Sequence, residues 1–389
     1  MKWDLETGLV AAVLHESPQG RELLVELNGS LERAWQEPVF GVPAKVGDRV
    51  LLNTTAVRLG LGTGGSHFVI AVEGAAQSPS SPEQPGHIMK VRYTPFQVAV
   101  HAVEEPDHPM HEIMRDAESL DGTPVVICEL HSMLPAVAMT LRYEAERRAC
   151  PVAKVAYVMT DGAALPLHFS KTVAQLNHLG LLAGTVTVGH AYGGDLEAVT
   201  LYSGLLAARH VLEADCIIVA MGPGIVGTGT RYGHTGIEVG TAVNAVHALG
   251  GDPVVVPRLS FADSRLRHQG VSHHTLTALA HVALAPATVP LPLLPDEQAT
   301  RVWAQVTGAG LHQKHRLVGV SGQSILDATQ AFPVPLRTMG RDLSADPAFF
   351  LAAGSAGEWV ARQLSAPKKK KPPESYSRRD EAWQLTDKN

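Results

Sequence analysis

The stretch Ala214–Glu238, ADCIIVAMGPGIVGTGTRYGHTGIE, decides the fold class. Its β-branched and apolar run, Ile217–Ala220, ends abruptly in a loop carrying Gly222, Gly224, Gly227, Gly229, Gly233 and Gly236. Behind the loop the pattern predicts a helix over Ile237–Leu249. Strand, glycine loop and helix in that order turn backbone N–H groups and a helix N-terminus toward an anion. The same unit is one beat of an α/β domain, in which buried strands alternate with helices.

That beat repeats outward in both directions. Upstream, Val125–Leu130, Lys154–Met159 and Thr185–Val188 read as strands, each followed by a predicted helix: about 134–148, 170–179 and 196–212. Downstream, Pro253–Val256 is a fifth strand with a helix from about His274 to Leu284, and Leu317–Val320 and Pro335–Thr338 are candidates for two more. The expectation is an α/β domain over 89–362 with a doubly wound, mostly parallel, Rossmann-like sheet.

Residues 1–75 read differently. Gly8–Leu14, Glu22–Leu27, Leu31–Val39, Arg49–Asn53 and His67–Val72 are short strands separated by turn signals such as Asn28-Gly29. Five of them in so short a span predict a small β-barrel-like domain. Its GLGTGG segment, Gly60–Gly65, is either a phosphate nest or a flexible hairpin connection. A Pro/Ser-rich stretch makes 76–88 a linker. Residues 363–389, with Lys368–Lys371, read as a disordered Lys-rich tail.

Composition bounds the rest. At 389 residues, 45% hydrophobic and 18% charged, the chain suits two or three well-buried domains. A net charge of -6 gives no general attraction to nucleic acid or anionic membrane. No apolar run of about 18 residues predicts a transmembrane helix. The opening MKWDLETGLVAAVLHES lacks the long apolar core of a signal peptide, so the chain reads as cytoplasmic. Cys128 and Cys216 fall inside predicted strands as small buried hydrophobes, and without a CxxC pair a thiolate zinc site is not expected.

Polar groups follow each predicted strand in turn. His131-Ser132 follow the first, Asp161 the second, His190 and Asp195 the third, the glycine loop with Thr230 the fourth, and Arg258, Asp263, Arg265 and His268 the fifth. In a parallel sheet these loops emerge at one edge, where open α/β sheets bind ligands. Asp161, His190 and Asp195 are the candidate catalytic groups; with His273 they are also candidate metal ligands. Asp195 is alternatively a cap for a helix starting at Leu196, as Ser170 and Ser272 are for theirs. Of His273 and His274, one at most is expected to point inward, since neighbours on a helix diverge by about 100°. His131, Ser132, Gly222, Gly224, Gly227, Gly229, Thr230, Arg258, Asp263, Arg265 and His268 are candidate ligand contacts. The loop lacks the Lys-Ser/Thr end of a phosphate-binding P-loop, and its GxGxxG spacing stands in poor context for a dinucleotide. No cofactor is assigned, and a homo-oligomer is left open.

Several motifs are more specific: RVLLNTTAVRLGLGTGGSHFVIA (49–71), YVMTDGAALP (157–166), GHAYGGDLEAV (189–199), MGPGIVGTGT (221–230) and MGRDLSADPAFFLAAGSAG (339–357). Together they resemble a domain-of-unknown-function family of bacterial proteins, known mainly from Gram-positive bacteria. The resemblance runs to about residue 362 and implies no activity and no catalytic residue. Two functions stay open: an enzyme acting on a small anionic or phosphorylated molecule at the sheet edge, or a non-catalytic ligand-sensing or assembly protein using the same cleft.

Overall fold

The computed structural model of the chain describes residues 3–17, 20–37, 39, 41–61, 64–75 and 86–366. Period-two patterning builds the N-terminal sheet. In β1 (Leu5–Ser17), β2 (Gly20–Leu27), β3 (Ser30–Gln36), β4 (Arg49–Asn53) and β5 (Ser66–Val72) alternate residues point inward, among them Val10, Leu23, Val25, Leu27, Val50, Leu52 and Val69. The strands close a barrel in the order β1-β2-β3-β5-β4. Asn28 and Gly29 turn β2 into β3 with φ of 50° and 80°, the left-handed conformations a two-residue hairpin requires. A single helical turn, α1 (Thr55–Arg58), follows β4.

A short hairpin, β6 (Ile88–Lys90) and β7 (Val98–Val100), leads into the α/β unit. Its sheet contains β8 (Pro124–Cys128), β9 (Val155–Thr160), β10 (Gly184–Thr187), β11 (Leu196–Glu197), β12 (Cys216–Met221) and β13 (Asp252–Val256). After a ribbon of β14 (Leu259–Ser260) and β15 (Gly270–Val271), the sheet gains β16 (Thr288–Pro292) and β17 (Arg316–Val320). The order is β11-β10-β9-β12-β8-β13-β16-β17, and every pairing within it is parallel. The sheet is therefore doubly wound, as expected. On one face pack α3 (Leu134–Arg147) and α4 (Lys171–His178), with α10 (Ser324–Ala331) and α11 (Pro347–Ser365). The other face carries α5 (Leu201–His210), α6 (Glu238–Ala248), α8 (Asp296–Gly308) and α9 (Leu311–Lys314). The short α2 (His111–Asp116) lies against α5, and α7 (His273–Thr277) runs directly into a π-helical turn, Ala278–Val282.

Several expectations are corrected. No helix starts at Leu196. Asp195 Oδ2 accepts from both the backbone N–H and the hydroxyl of Thr185 at 2.8 Å, which pins Leu196–Glu197 as an edge strand beside Val186 and Thr187. Asp195 caps nothing; the helix begins at Leu201 behind a Thr200/Ser203 capping box. Ser170 and Ser272 do cap α4 and α7. Pro335–Thr338 is not a sheet strand: Arg337–Thr338 pair with Arg341–Asp342 in a separate hairpin. Conversely, β16 escaped notice because Pro290 and Pro292 argue against a central strand. It keeps a five-residue ladder with β17 but only the Val254–Thr288 pair with β13, so the missing donors fall where the ladder is thin. The helix expected from His274 to Leu284 is instead α7 and its π turn. Residues 76–85 of the expected linker, Gly62 and Thr63 of GLGTGG, and 367–389 of the expected tail lie outside the described residues, while Ile88 already belongs to β6 and α11 runs on to Ser365.

Candidate functional site

Because the sheet is parallel, the polar loops after β8, β9, β10, β12 and β13 leave from one edge. They do not form one pocket. β8 lies between β12 and β13, and its helix α3 covers one face, whereas the elements after β12 and β13 cover the other. Neighbouring strands whose connections part in this way open crevices at their carboxyl ends. Two such crevices flank β8.

The first, between β8 and β12, is a cleft of about 870 Å³. Leu130, His131 and Ser132 line it from β8, Met221–Val226 from β12, Ser170–Thr172 from the start of α4, and Arg337–Met339 from the small hairpin. The barrel roofs it with Glu22, Arg33 and Trp35. Trp35 meets Phe169 edge-on at 5.8 Å between centroids, and Lys171 pairs with Glu22 at 2.9 Å, so the roof is tied to the rim. Of the cleft cations, Arg33 and Lys171 share Glu22. Arg337 is exposed and faces Asp342 across its hairpin, close enough to help lower that carboxyl.

His131 is the titratable group in the cleft wall with a defined hydrogen-bond chain. Tyr157 donates its hydroxyl proton to the Ala220 carbonyl at 3.2 Å. Its oxygen then accepts from His131 Nδ1, 3.2 Å away, which leaves Nε2 to accept the Ser170 hydroxyl at 2.7 Å. Burial pushes the imidazole down to about 4, so it is neutral at neutral pH. Ser170 also accepts from the Val173 N–H as the α4 cap. Ser132 donates to Thr338 at 3.2 Å.

The glycine loop does not feed a helix N-terminus directly. A 3-10 turn, Thr235–Ile237, intervenes, and α6 has no side-chain cap. Two of its glycines make room for protein rather than for an anion. A side chain at 222 would collide with the Ala164 carbonyl, and one at 227 would meet the His274 ring at 2.9 Å. Gly229 lies beside Arg267, and Thr230 closes a turn with Thr228 and Gly233. His131, Ser132, Gly222 and Gly224 thus line one cleft, while Gly227, Gly229 and Thr230 lie outside its lining.

Asp161 and His190 come together, but away from the cleft. Asp161 accepts from the His190 N–H at 2.9 Å, and His190 Nδ1 accepts from the Val91 N–H at 3.0 Å, tying the β6–β7 hairpin to the rim. Asp195, held by Thr185, faces back along β10 and does not join them. Two neighbours went unnoticed in the sequence. Glu238, in the first turn of α6, packs against Gly162; burial, with repulsion from Asp161, pushes its carboxyl up to about 7. Lys90 is 1% exposed and donates to the Thr187 and Ala191 carbonyls and to Glu197 at 3.0, 2.7 and 2.6 Å. Neither carries a local signal: each lies in an ordinary run, and burial alone sets it apart.

The second crevice, between β8 and β13, holds Arg258, Asp263, Arg265 and His268. The arginines are committed internally. Arg258 is buried between Glu129 at 3.4 Å and Asp263 at 3.8 Å, and Arg265 makes a bidentate pair with Asp263, holding that carboxyl well below its usual range. Arg341 joins Asp263 and Asp346. Three cations meet three carboxylates, which removes the expected anion-holding surplus. Against this network lies a group of imidazoles: His234 stacks on His274 at 3.8 Å, and His268 and His273 pack around them. Both His273 and His274 face inward, contrary to expectation, because His273 opens α7 and its ring folds back over the helix start. Burial pushes His268 down to about 3, with Arg258 and Arg265 adding to it, and His273 to about 4.

A family model matches residues 33–357. The chain belongs to the family described as Protein of unknown function (DUF3866). The match begins within β3 and ends within α11, so it takes in the second crevice and the first except for Glu22. No curated protein and no solved structure matches the chain. No helix among the described residues is long and apolar enough to cross a membrane.

Proposed function

We propose that this protein is an enzyme acting on a small anionic molecule, such as a phosphate or carboxylate ester, held in the β8/β12 cleft under the barrel. The barrel, 1–75, and the Rossmann-like α/β unit, 89–362, act as roof and floor. One observation carries the reading: a cleft at a strand switch point whose wall holds an imidazole that accepts the Ser170 hydroxyl, beside the exposed guanidinium of Arg337. Arg337 and the backbone at Gly224 bind the anion. His131 Nε2 takes a proton from Ser170 or from a substrate hydroxyl placed next to it. Asp161 and His190 brace the neighbouring loop, and their part in the chemistry is indirect.

The test is native mass spectrometry of the purified full chain, followed by thermal-shift titration with inorganic phosphate, sugar phosphates, nucleotides and small carboxylates. A co-purified anion, or stabilisation that Arg337→Ala weakens about tenfold in affinity, supports the reading. Absence of any bound anion together with no shift across that panel refutes it. The role of Ser170 as a helix cap favours a second reading, non-catalytic ligand sensing: there Ser170→Ala leaves ligand binding intact and no turnover of the identified ligand exists to be lost.

A further inference from the structure

The imidazole cluster at the second crevice has a feature that packing does not explain. Among the described residues, His234 Nδ1, His273 Nε2 and His274 Nε2 are buried nitrogens with no hydrogen-bond partner. Three unpaired polar atoms in one place are costly, about 1–3 kcal/mol each, unless they have a ligand. His274 is 2% exposed and His234 6%, so water does not pair them freely. The same three residues each offer a donor nitrogen within 4.8 Å of the other two.

The opposite ring nitrogen is engaged where a metal site needs it. His274 Nδ1 lies 3.1 Å from Glu129 Oε1, nearer than the Arg258 guanidinium at 3.4 Å, and His234 Nε2 lies 3.0 Å from the Arg231 carbonyl. A carboxylate or carbonyl behind the imidazole selects the tautomer whose other nitrogen is a bare acceptor, and this is the usual support for a metal-bound histidine. Glu129 is fixed in turn by Thr275 at 2.7 Å and Arg258. Two glycines keep the acceptor sides clear. A Cβ at 227 would lie 2.9 Å from His274 Nε2, and one at 236 would lie 3.1 Å from His234 Nδ1. The glycine density of 222–236 thus gains a second purpose. The α7 start that carries two of the ligands is locked by the Ser272 cap and the π turn behind it.

The geometry assigns His234, His273 and His274 to a divalent transition-metal site, zinc first, with Glu129 supporting His274 from behind. Three imidazoles suit Zn2+ above Mg2+ or Ca2+, which take oxygen ligands. Three protein ligands leave the fourth tetrahedral position open, the pattern of a reactive rather than a purely structural zinc. His234 and His274 lie nearly parallel, 6° apart, so binding turns the His234 ring until both lone pairs meet one ion. The site is independent of the cleft reading, although the 221–235 loop borders both.

The decisive experiment uses the full chain stripped with a chelator and reloaded with Zn2+ or Co2+. Expected are one metal per chain by elemental analysis, the visible absorption of tetrahedral Co2+, and competition with a chromophoric chelator giving a dissociation constant below about 1 µM. His273→Ala and His234→Ala each weaken binding at least 100-fold, Glu129→Gln weakens it about 10–100-fold, and His178→Ala, at an exposed position of α4, leaves it unchanged. If a variant does not fold, the Co2+ spectrum and stoichiometry of the unmodified chain still decide. Failure of the stripped chain to bind either metal below about 100 µM overturns the assignment. So does binding that survives the His273 and His234 changes but is lost with His101→Ala, which would place the ion at the His101, Glu105 and Asp107 group instead.

Discussion

Glu238→Gln separates burial from helix electrostatics in one measurement. Glu238 stands in the first turn of α6, where the helix N-terminus favours its anion by about 0.3–1 kcal/mol. Burial against Gly162 and repulsion from Asp161 act the other way and win, lifting the carboxyl from its ordinary 4.5 to about 7. A difference of about 2.5 in pKa corresponds to about 3 kcal/mol. The sign follows from proton counting. Between pH 4.5 and 7 the folded chain holds a proton that the unfolded chain has released, so stability falls as pH rises through that window. Glutamine keeps the shape without the charge. Glu238→Gln is therefore expected to match the unmodified chain near pH 4.5 and to exceed it by about 3 kcal/mol at pH 8. In melting temperature this is about 6 °C at pH 8, given about 2 °C per kcal/mol for a unit of this size. Differential scanning fluorimetry at pH 5, 6, 7 and 8 reads the difference directly. Asp161→Asn should move the midpoint of that pH dependence downward. A gap between Glu238→Gln and the unmodified chain that stays constant with pH would refute the reasoning.

Three further perturbations follow from the same geometry. His131 has the opposite pH dependence: neutral when folded and pushed to about 4 against an ordinary 6.5, it contributes about 3 kcal/mol above pH 6.5 that is lost as pH falls toward 4, and His131→Gln should flatten that limb of the melting profile. Lys90→Met strands Glu197 and two carbonyls and is expected to cost about 3–5 kcal/mol in chemical denaturation; the double change with Glu197→Gln should cost less than the sum of the single ones, and strict additivity would count against the buried pair. Gly193→Ala forces a side chain into a backbone at φ 91° beside the His168 ring and should cost about 1–3 kcal/mol, whereas Gly340→Ala at an open turn should lose only the backbone-strain part of that amount, as melting temperatures will show.

The rhythm of the chain was legible because it is local. Ile217–Ala220 is buried on both faces and therefore apolar at every position, and Leu23, Val25 and Leu27 alternate because a barrel strand has one inner face. Burial of that kind writes itself into adjacent residues, so five barrel strands, the parallel strands β8, β9, β10, β12 and β13 and the caps Ser170 and Ser272 were all readable. So was the common edge at which the polar loops emerge, since it follows from strand direction alone. Chain order could not show that β12 inserts between β9 and β8 and that β8 separates two crevices; that depends on which face each helix covers, a matter of packing between segments far apart in sequence. Nor could it show that Asp195 turns back to Thr185, that Arg258 and Arg265 are neutralised by Glu129 and Asp263, or that His234 meets His273 and His274. Those pairings are between side chains drawn together by the tertiary fold, and their energetics come from the loss of water around them, which no single stretch of sequence encodes.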